Sequence, residues 1–302
     1  MMLAVAGTHL SWNLLDDVRQ LFEFPFMVNA FRAGTIVAVV AGAIGWFMVI
    51  RRQSFAGHTL ALVGFPGAAG AVWLGISAAW GFFGFCVGAA LLIAWLRPQR
   101  GEGYSEESAG IGVVQAAALA CGFLFVTLYK GFLNGINALL FGSFLGITNT
   151  QVVVLGVVGA AALLALAAVG RPLLFASVDP DVAAARGVPV RALSVLFLVL
   201  LGLTTAEVSQ ITGTLLVFAL LVMPGATAQL VTARPAVGLV LTVAIGLVVT
   251  WLALAAAYFT PYPIGFYVTT FGFAGYVGAA LVHRPRRRAH RREHAVPAPA
   301  PA

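Results

Sequence analysis

Charge is what this sequence has least of. Only 9% of its 302 residues are Asp, Glu, Lys or Arg, where a soluble domain carries about a quarter. That excludes a water-soluble fold for most of the chain and leaves no stretch for a soluble catalytic domain. Lysine is nearly missing. Lys130 is the single one, and no G-x-x-x-x-G-K precedes it, so the chain has no phosphate loop with which to hydrolyse ATP. Cysteine is scarce as well: Cys86 and Cys121 each fall inside an apolar run, without CxxC or secreted-disulfide spacing, and read as small buried hydrophobes. The first residues also lack the basic region of a cleavable signal peptide.

What the sequence has instead is apolar length, with 61% hydrophobic residues. A spanning helix needs about 20 mostly apolar residues. Such runs lie near 29–50, 60–78, 80–96, 109–129, 149–170, 191–206, 211–232, 236–257 and 264–283. The connections within the pairs 60–78/80–96 and 191–206/211–232 are very short, and one member of either pair is open to being re-entrant or broken. The expected fold is therefore an all-α, polytopic membrane helical bundle of eight or nine transmembrane helices, some interrupted. Residues 29–283 form this domain. Residues 1–28 precede it as an amphipathic segment, in which Trp12, Leu14, Leu15, Val18, Leu21 and Phe22 alternate with Asp16, Asp17, Arg19 and Glu23. This pattern suits either an interfacial helix or a soluble N-terminal helix. Residues 284–302 follow as a basic, then Pro/Ala-rich tail, extended over its last residues.

The net charge is +7, and six of the seventeen cations lie between Arg284 and Arg292. An arginine cluster just beyond a last span predicts a contact with anionic lipid headgroups, not nucleic acid. If the first span runs from outside to inside, Arg51, Arg52, Arg97, Arg100, Arg171, Arg186, Arg191, Arg234 and the tail cluster all fall inside. Only Arg19, Arg32 and Lys130 remain, outside or at the outer interface. The positive-inside rule selects this orientation, with the C-terminus cytoplasmic in a bacterial plasma membrane. The polar stretch 97–108 reads as a flexible connection, with Ser105 or Ser108 capping the next helix. The outer stretch 130–148 reads as a short helix against the membrane.

One cytoplasmic loop is strongly punctuated. In 175–189 (FASVDPDVAAARGVP), Asp179 suits an N-cap, Pro180 the first helical position, and Asp181 the positive end of the helix dipole. A short helix through Ala184 to Arg186 then ends at Gly187, which suits a left-handed C′ position, and Pro189 blocks continuation. The bland reading is a capped connector. The functional one is a rigid docking helix that transmits a push from another protein.

Three blocks carry a family resemblance: 51–67 (RRQSFAGHTLALVGFPG), the loop at 179–190, and 213–229 (GTLLVFALLVMPGATAQ). In order and spacing, the chain from Phe26 to His283 resembles the zinc/manganese/iron-type ABC transporter permeases. The resemblance implies a transport subunit that is not itself an enzyme and binds no cofactor. It implies ATP-binding cassette subunits that hydrolyse ATP as separate chains, a second permease copy or a related permease, and an extracellular solute-binding protein. It makes the loop helix a coupling helix. The residues agree physically. Gly64, Gly67, Ala68 and Ala71 allow close helix approach. Pro66 with Gly67, and Pro224 with Gly225, are expected to bend or break their helices, a pointer to a translocation path.

The family's first block carries an aspartate and, one turn later, a histidine; here those positions hold His58 and Leu62. A second family aspartate before the last span appears as Pro261. The usual metal constellation is thus altered. Within the apolar runs His58 and Glu207 remain as candidate ligands for zinc or manganese, with Gln210 and Met223 as weaker contributors to the path. The plainer readings are an interfacial histidine near the arginine pair and an outer-interface carboxylate in water. The tail histidines His283, His290 and His294 stand among arginines that repel cations. The leading expectation is import of a divalent metal or a metal complex. The alternative, a self-contained secondary transporter, needs intramembrane coupling carboxylates, and only Glu207 qualifies. A membrane scaffold leaves the capped loop unexplained.

Overall fold

Proline opens three of the helices, where its missing N–H costs nothing: Pro25, Pro180 and Pro235 each stand in the first turn. The computed structural model describes residues 14–96, 104–128, 140, 142, 146–214 and 216–293. In chain order the helices are α1 (Leu14–Glu23), α2 (Pro25–Ile50), α3 (Ser54–Trp73), α4 (Ala78–Leu96), α5 (Tyr104–Leu128), α6 (Asn149–Val178), α7 (Pro180–Ala185), α8 (Val190–Thr212), α9 (Val217–Val231), α10 (Pro235–Phe259) and α11 (Ile264–Glu293). The described residues contain no strand. Among the described residues, eight helices are long and apolar enough to cross a membrane.

The bundle is built round α2, which is buried on most of its surface. Small residues set the close approaches, as expected where lipid supplies no hydrophobic drive between helices. Gly45 packs on the backbone of Leu221 in α9, and Gly42 on Val243 in α10. Gly156 and Gly159 bring α6 against Ile36 and Val40. A second group joins α3, α4 and α5, where Gly67 and Gly81 meet backbone to backbone and Gly122 faces Phe65 and Pro66. α8 links the groups: Gly202 lies on Cys86 and Ala90 of α4, and Phe197 packs near Phe47 of α2. α11 runs parallel to α9, with Gly265 at Leu216 and Gly272 at Met223. The neighbours Phe47–Phe197, Gly170–Phe47 and Gly225–Val49 bring one end of α2, α6, α8 and α9 together. Arg51, Arg52, Arg171, Arg186, Arg191 and Arg234 therefore share one end of the bundle.

Several boundaries differ from the sequence expectation. The run 211–232 is not one helix. α8 continues to Thr212, and the chain turns at Gly213, whose φ of 72° is left-handed and suits glycine. α9 then has 15 residues, about 22 Å, short of the hydrocarbon core on its own. Of the bend or break expected at Pro66 and Pro224, neither is a break, since both stand inside continuous helices. A proline removes one intrahelical bond and leaves the carbonyl four residues earlier unpaired, which packed neighbours in a bundle tolerate. The interruption falls instead at a glycine. α5 is already helical at Tyr104, so Ser105 and Ser108 lie within it rather than just before its start. α11 does not stop at 283 but continues to Glu293. The segment 97–103, most of 130–148, and the Pro/Ala tail from His294 lie outside the described residues.

Candidate functional site

His58 stands one turn into α3, close after the tight α2–α3 turn. Its ring meets Phe218 of α9 edge-on, with centroids 4.9 Å apart. Its Nδ1 is buried and has no hydrogen-bond partner. A buried, unpaired imidazole nitrogen is a lone pair or an N–H awaiting a partner, and a neutral imidazole is a common transition-metal ligand. One turn further, Leu62 offers no lone pair, so α3 presents a single donor where two would share a face.

Glu207 lies deeper in the bundle than the sequence suggested. It is fully buried, level with Ile36 and Val40 near the middle of α2, and faces Gly159 of α6. Neither carboxylate oxygen has a hydrogen-bond partner. The reading as an outer-interface carboxylate in water therefore fails: Glu207 is shut inside the packing of α2, α6 and α8. One turn below it on α8, Thr204 is also fully buried with an unpaired hydroxyl. Most other α8 hydroxyls turn back onto their own helix, as Thr205 does to Gly202 O at 2.8 Å and Ser209 to Thr205 O at 2.6 Å.

The remaining path candidates face elsewhere. Gln210 donates to Ala206 O at 3.4 Å on its own helix. Met223 points at Gly272 of α11. Pro66 lies against Gly122 of α5, while Pro224 and Gly225 lie near Gly246 of α10 and Gly45 of α2. The fold thus spreads the predicted residues over several helix seams. His58 and Glu207 share no hydrogen bond, and no group of three or more His, Cys, Asp or Glu side chains forms a cage among the described residues.

The loop helix α7 is capped at both ends. Asp179 accepts a hydrogen bond from Val182 N at 3.0 Å, Pro180 opens the helix, and Asp181 lies in its first turn. At the other end Arg186 is the C-cap, and Gly187 has φ 80°. Gly187 N donates to Ala184 O and Val188 N to Ala183 O, both at 3.0 Å, which is the paired closure of a Schellman motif. Ala183 is buried against the bundle, while Asp181, Val182, Ala185 and Arg186 face outward. Sequence reading missed the side chain that holds this loop in place. Arg51, after α2, donates to Ser177 Oγ at 3.0 Å and Ser194 Oγ at 2.8 Å. An arginine ending a span is so common that nothing in the sequence marks this one as a clamp.

The profile of the ABC 3 transport family matches residues 23–283. The chain is 33% identical over 248 residues to the manganese transport system membrane protein MntC of Halalkalibacterium halodurans, covering 82% of this chain and 83% of that one. It is 31% identical over 233 residues to the chelated iron transport system membrane protein YfeC of Yersinia pestis, covering 77% and 78%. Among solved structures, PsaBC from Streptococcus pneumoniae in complex with Fab superposes with a TM-score of 0.78 at 28% identity, over 88% of this chain and 95% of that one. With eight span-length helices, the capped loop and these matches over most of its length, the chain belongs to the ABC 3 transport family as a multi-pass membrane permease subunit.

Proposed function

We propose that this permease imports a divalent metal ion, manganese or zinc, across a bacterial plasma membrane, with its C-terminus in the cytoplasm. Separate ATP-binding cassette chains dock on α7 and hydrolyse ATP; a second permease copy completes the pore, and an extracellular solute-binding protein delivers the substrate. The observation that carries the reading is α7: a doubly capped helix with an exposed face, hung from the arginine-rich end of a bundle like those of metal permeases. A rigid helix transmits a push that a flexible loop absorbs. His58 is the proposed first contact for the ion on the inner part of the path, with Glu207, whose carboxylate has no partner, as the acidic contributor deeper in the bundle; Gln210 and Met223, which face other seams, are left off it.

A metal complex is the second reading. It is favoured by His58 and Leu62, which replace a carboxylate and an imidazole and so remove a negative charge that a bare divalent ion would use. Vesicles carrying the permease with its ATPase and binding protein decide between these. ATP-dependent uptake of free manganese or zinc supports the first reading. Uptake only of the chelated ion supports the second, and uptake driven by an ion gradient without ATP rejects both.

A further inference from the structure

A single guanidinium holds both feet of α7. Ser177 is the second-last residue of α6, and Ser194 lies near the start of α8. The chain between them consists of α7 and its two short connections. Arg51 spans this gap from the α2–α3 turn, giving Nη1 to Ser177 and Nη2 to Ser194. Its Nε donates to Gln53 Oε1 at 3.3 Å, and its Cζ lies 5.2 Å from the centre of the Phe197 ring. Ser177 is itself fixed, since its hydroxyl donates to Leu173 O at 2.5 Å. Guanidinium suits this task because its donors lie in a rigid planar fork, whereas an ammonium is a compact charge on a flexible stem.

The other side of the clamp leads to His58. The turn between α2 and α3 has no slack. Arg52 is held at φ 56°, a left-handed conformation unusual for a residue with a side chain. Gln53 N donates to Met48 O and Gly57 N to Gln53 O, both at 3.0 Å. Gly57 then seats the first turn of α3 on Met48, and His58 follows. A shift of α7 that moves Ser177 and Ser194 therefore pulls on Arg51, and through it on the start of α3. Close-packed helices pass such a shift on rather than absorbing it.

We infer that Arg51 is a positioning residue that links the ATPase-docking helix α7 to the helix carrying His58. The inference rests on α7 being the docking element. It assigns Arg51 to the coupling of ATP hydrolysis to substrate movement, not to substrate binding.

The test is a double-mutant cycle in vesicles containing permease, ATPase and binding protein, with manganese ion as the probe. The readout is manganese taken up per ATP hydrolysed, which a residue needed only for folding would leave unchanged in the complexes that assemble. Arg51→Lys keeps the charge but loses the fork. It is expected to assemble with the ATPase and hydrolyse ATP within about twofold of the parent, while uptake per ATP falls about tenfold, the scale of one charge-assisted hydrogen bond. Ser177→Ala with Ser194→Ala is expected to fall equally, and adding Arg51→Lys to that pair to cost nothing more. Parental uptake per ATP in Arg51→Lys, or additive losses in the combined variant, overturns the inference. If Arg51→Lys fails to insert, the serine pair decides alone, and parental coupling in that pair overturns it. Failure of the docking reading shows differently: α7 cap variants would then leave ATPase assembly and stimulation untouched.

Discussion

Gly159 of α6 faces Glu207 of α8 with no room between them for a methyl group. A β-carbon on Gly159 would stand 2.9 Å from Glu207 Oε1 and 2.8 Å from Val40 Cγ2. Gly159→Ala should therefore force α6 away from α2 and α8 and cost about 1–3 kcal/mol, the usual penalty of overpacking. Glu207→Gln keeps the shape and removes a buried carboxylate that has no hydrogen-bond partner, so it should melt at or above the parent. Thermal melts of the purified protein in detergent check both; a Glu207→Gln variant that melts well below the parent would show the carboxylate to be structurally paired.

His58→Ala removes the one unpaired donor on the first turns of α3 and should reduce ATP-driven manganese uptake at least tenfold, equivalent to about 1.4 kcal/mol. Leu62→Ala should alter uptake only mildly, and Glu207→Gln should fall between the two. Initial uptake rates at matched expression are the measurement. Parental uptake in His58→Ala would leave the ring as packing against Phe218 and nothing more.

The caps of α7 should be separable from insertion. Asp179→Ala loses the bond to Val182 N, worth about 0.5–2 kcal/mol. Gly187→Val places a β-branched side chain at φ 80°, where such residues are outliers, and should be the more damaging. Both should reach the membrane in normal amounts and lose stimulation of the ATPase by substrate-loaded binding protein. Stimulation at the parental level in both variants would remove α7 from the docking role.

Orientation can be read with single cysteines. Ser77 lies exposed in the α3–α4 connection, at the end of the bundle opposite Arg51, and Ala185 is exposed on α7. A membrane-impermeant thiol reagent added to intact cells should label Ser77→Cys and spare Ala185→Cys until the cells are opened. The reverse pattern would invert the topology.

Helix positions and the punctuation of α7 were legible in the chain itself, because both are local. Apolar run length sets a span, and Asp179, Pro180 and Gly187 act within one or two turns of where they stand. The misread boundaries have the same origin. At 211–232 no charge interrupts the run, and the turn at Gly213, packed beside Leu140 and Gly142, divides it. Pro66 and Pro224 looked like breaks because a proline does remove a helix bond; their packed surroundings keep the helices continuous.

The sequence by itself determined that the chain lives in a membrane, that eight or nine apolar runs are available to cross it, which end carries the arginines, and which loop is stiffened by caps. Each of these follows from hydrophobicity, charge or backbone preference over a short stretch. Tertiary structure alone decided the depth and burial of Glu207, the separate seams occupied by His58, Met223 and Pro66, and the reach of Arg51 to two serines more than a hundred residues away. These depend on which helix faces meet. In an apolar bundle nearly every face of a helix is hydrophobic, so the amphipathic pattern that would point to a partner is absent, and small residues far apart in the chain choose the contacts instead.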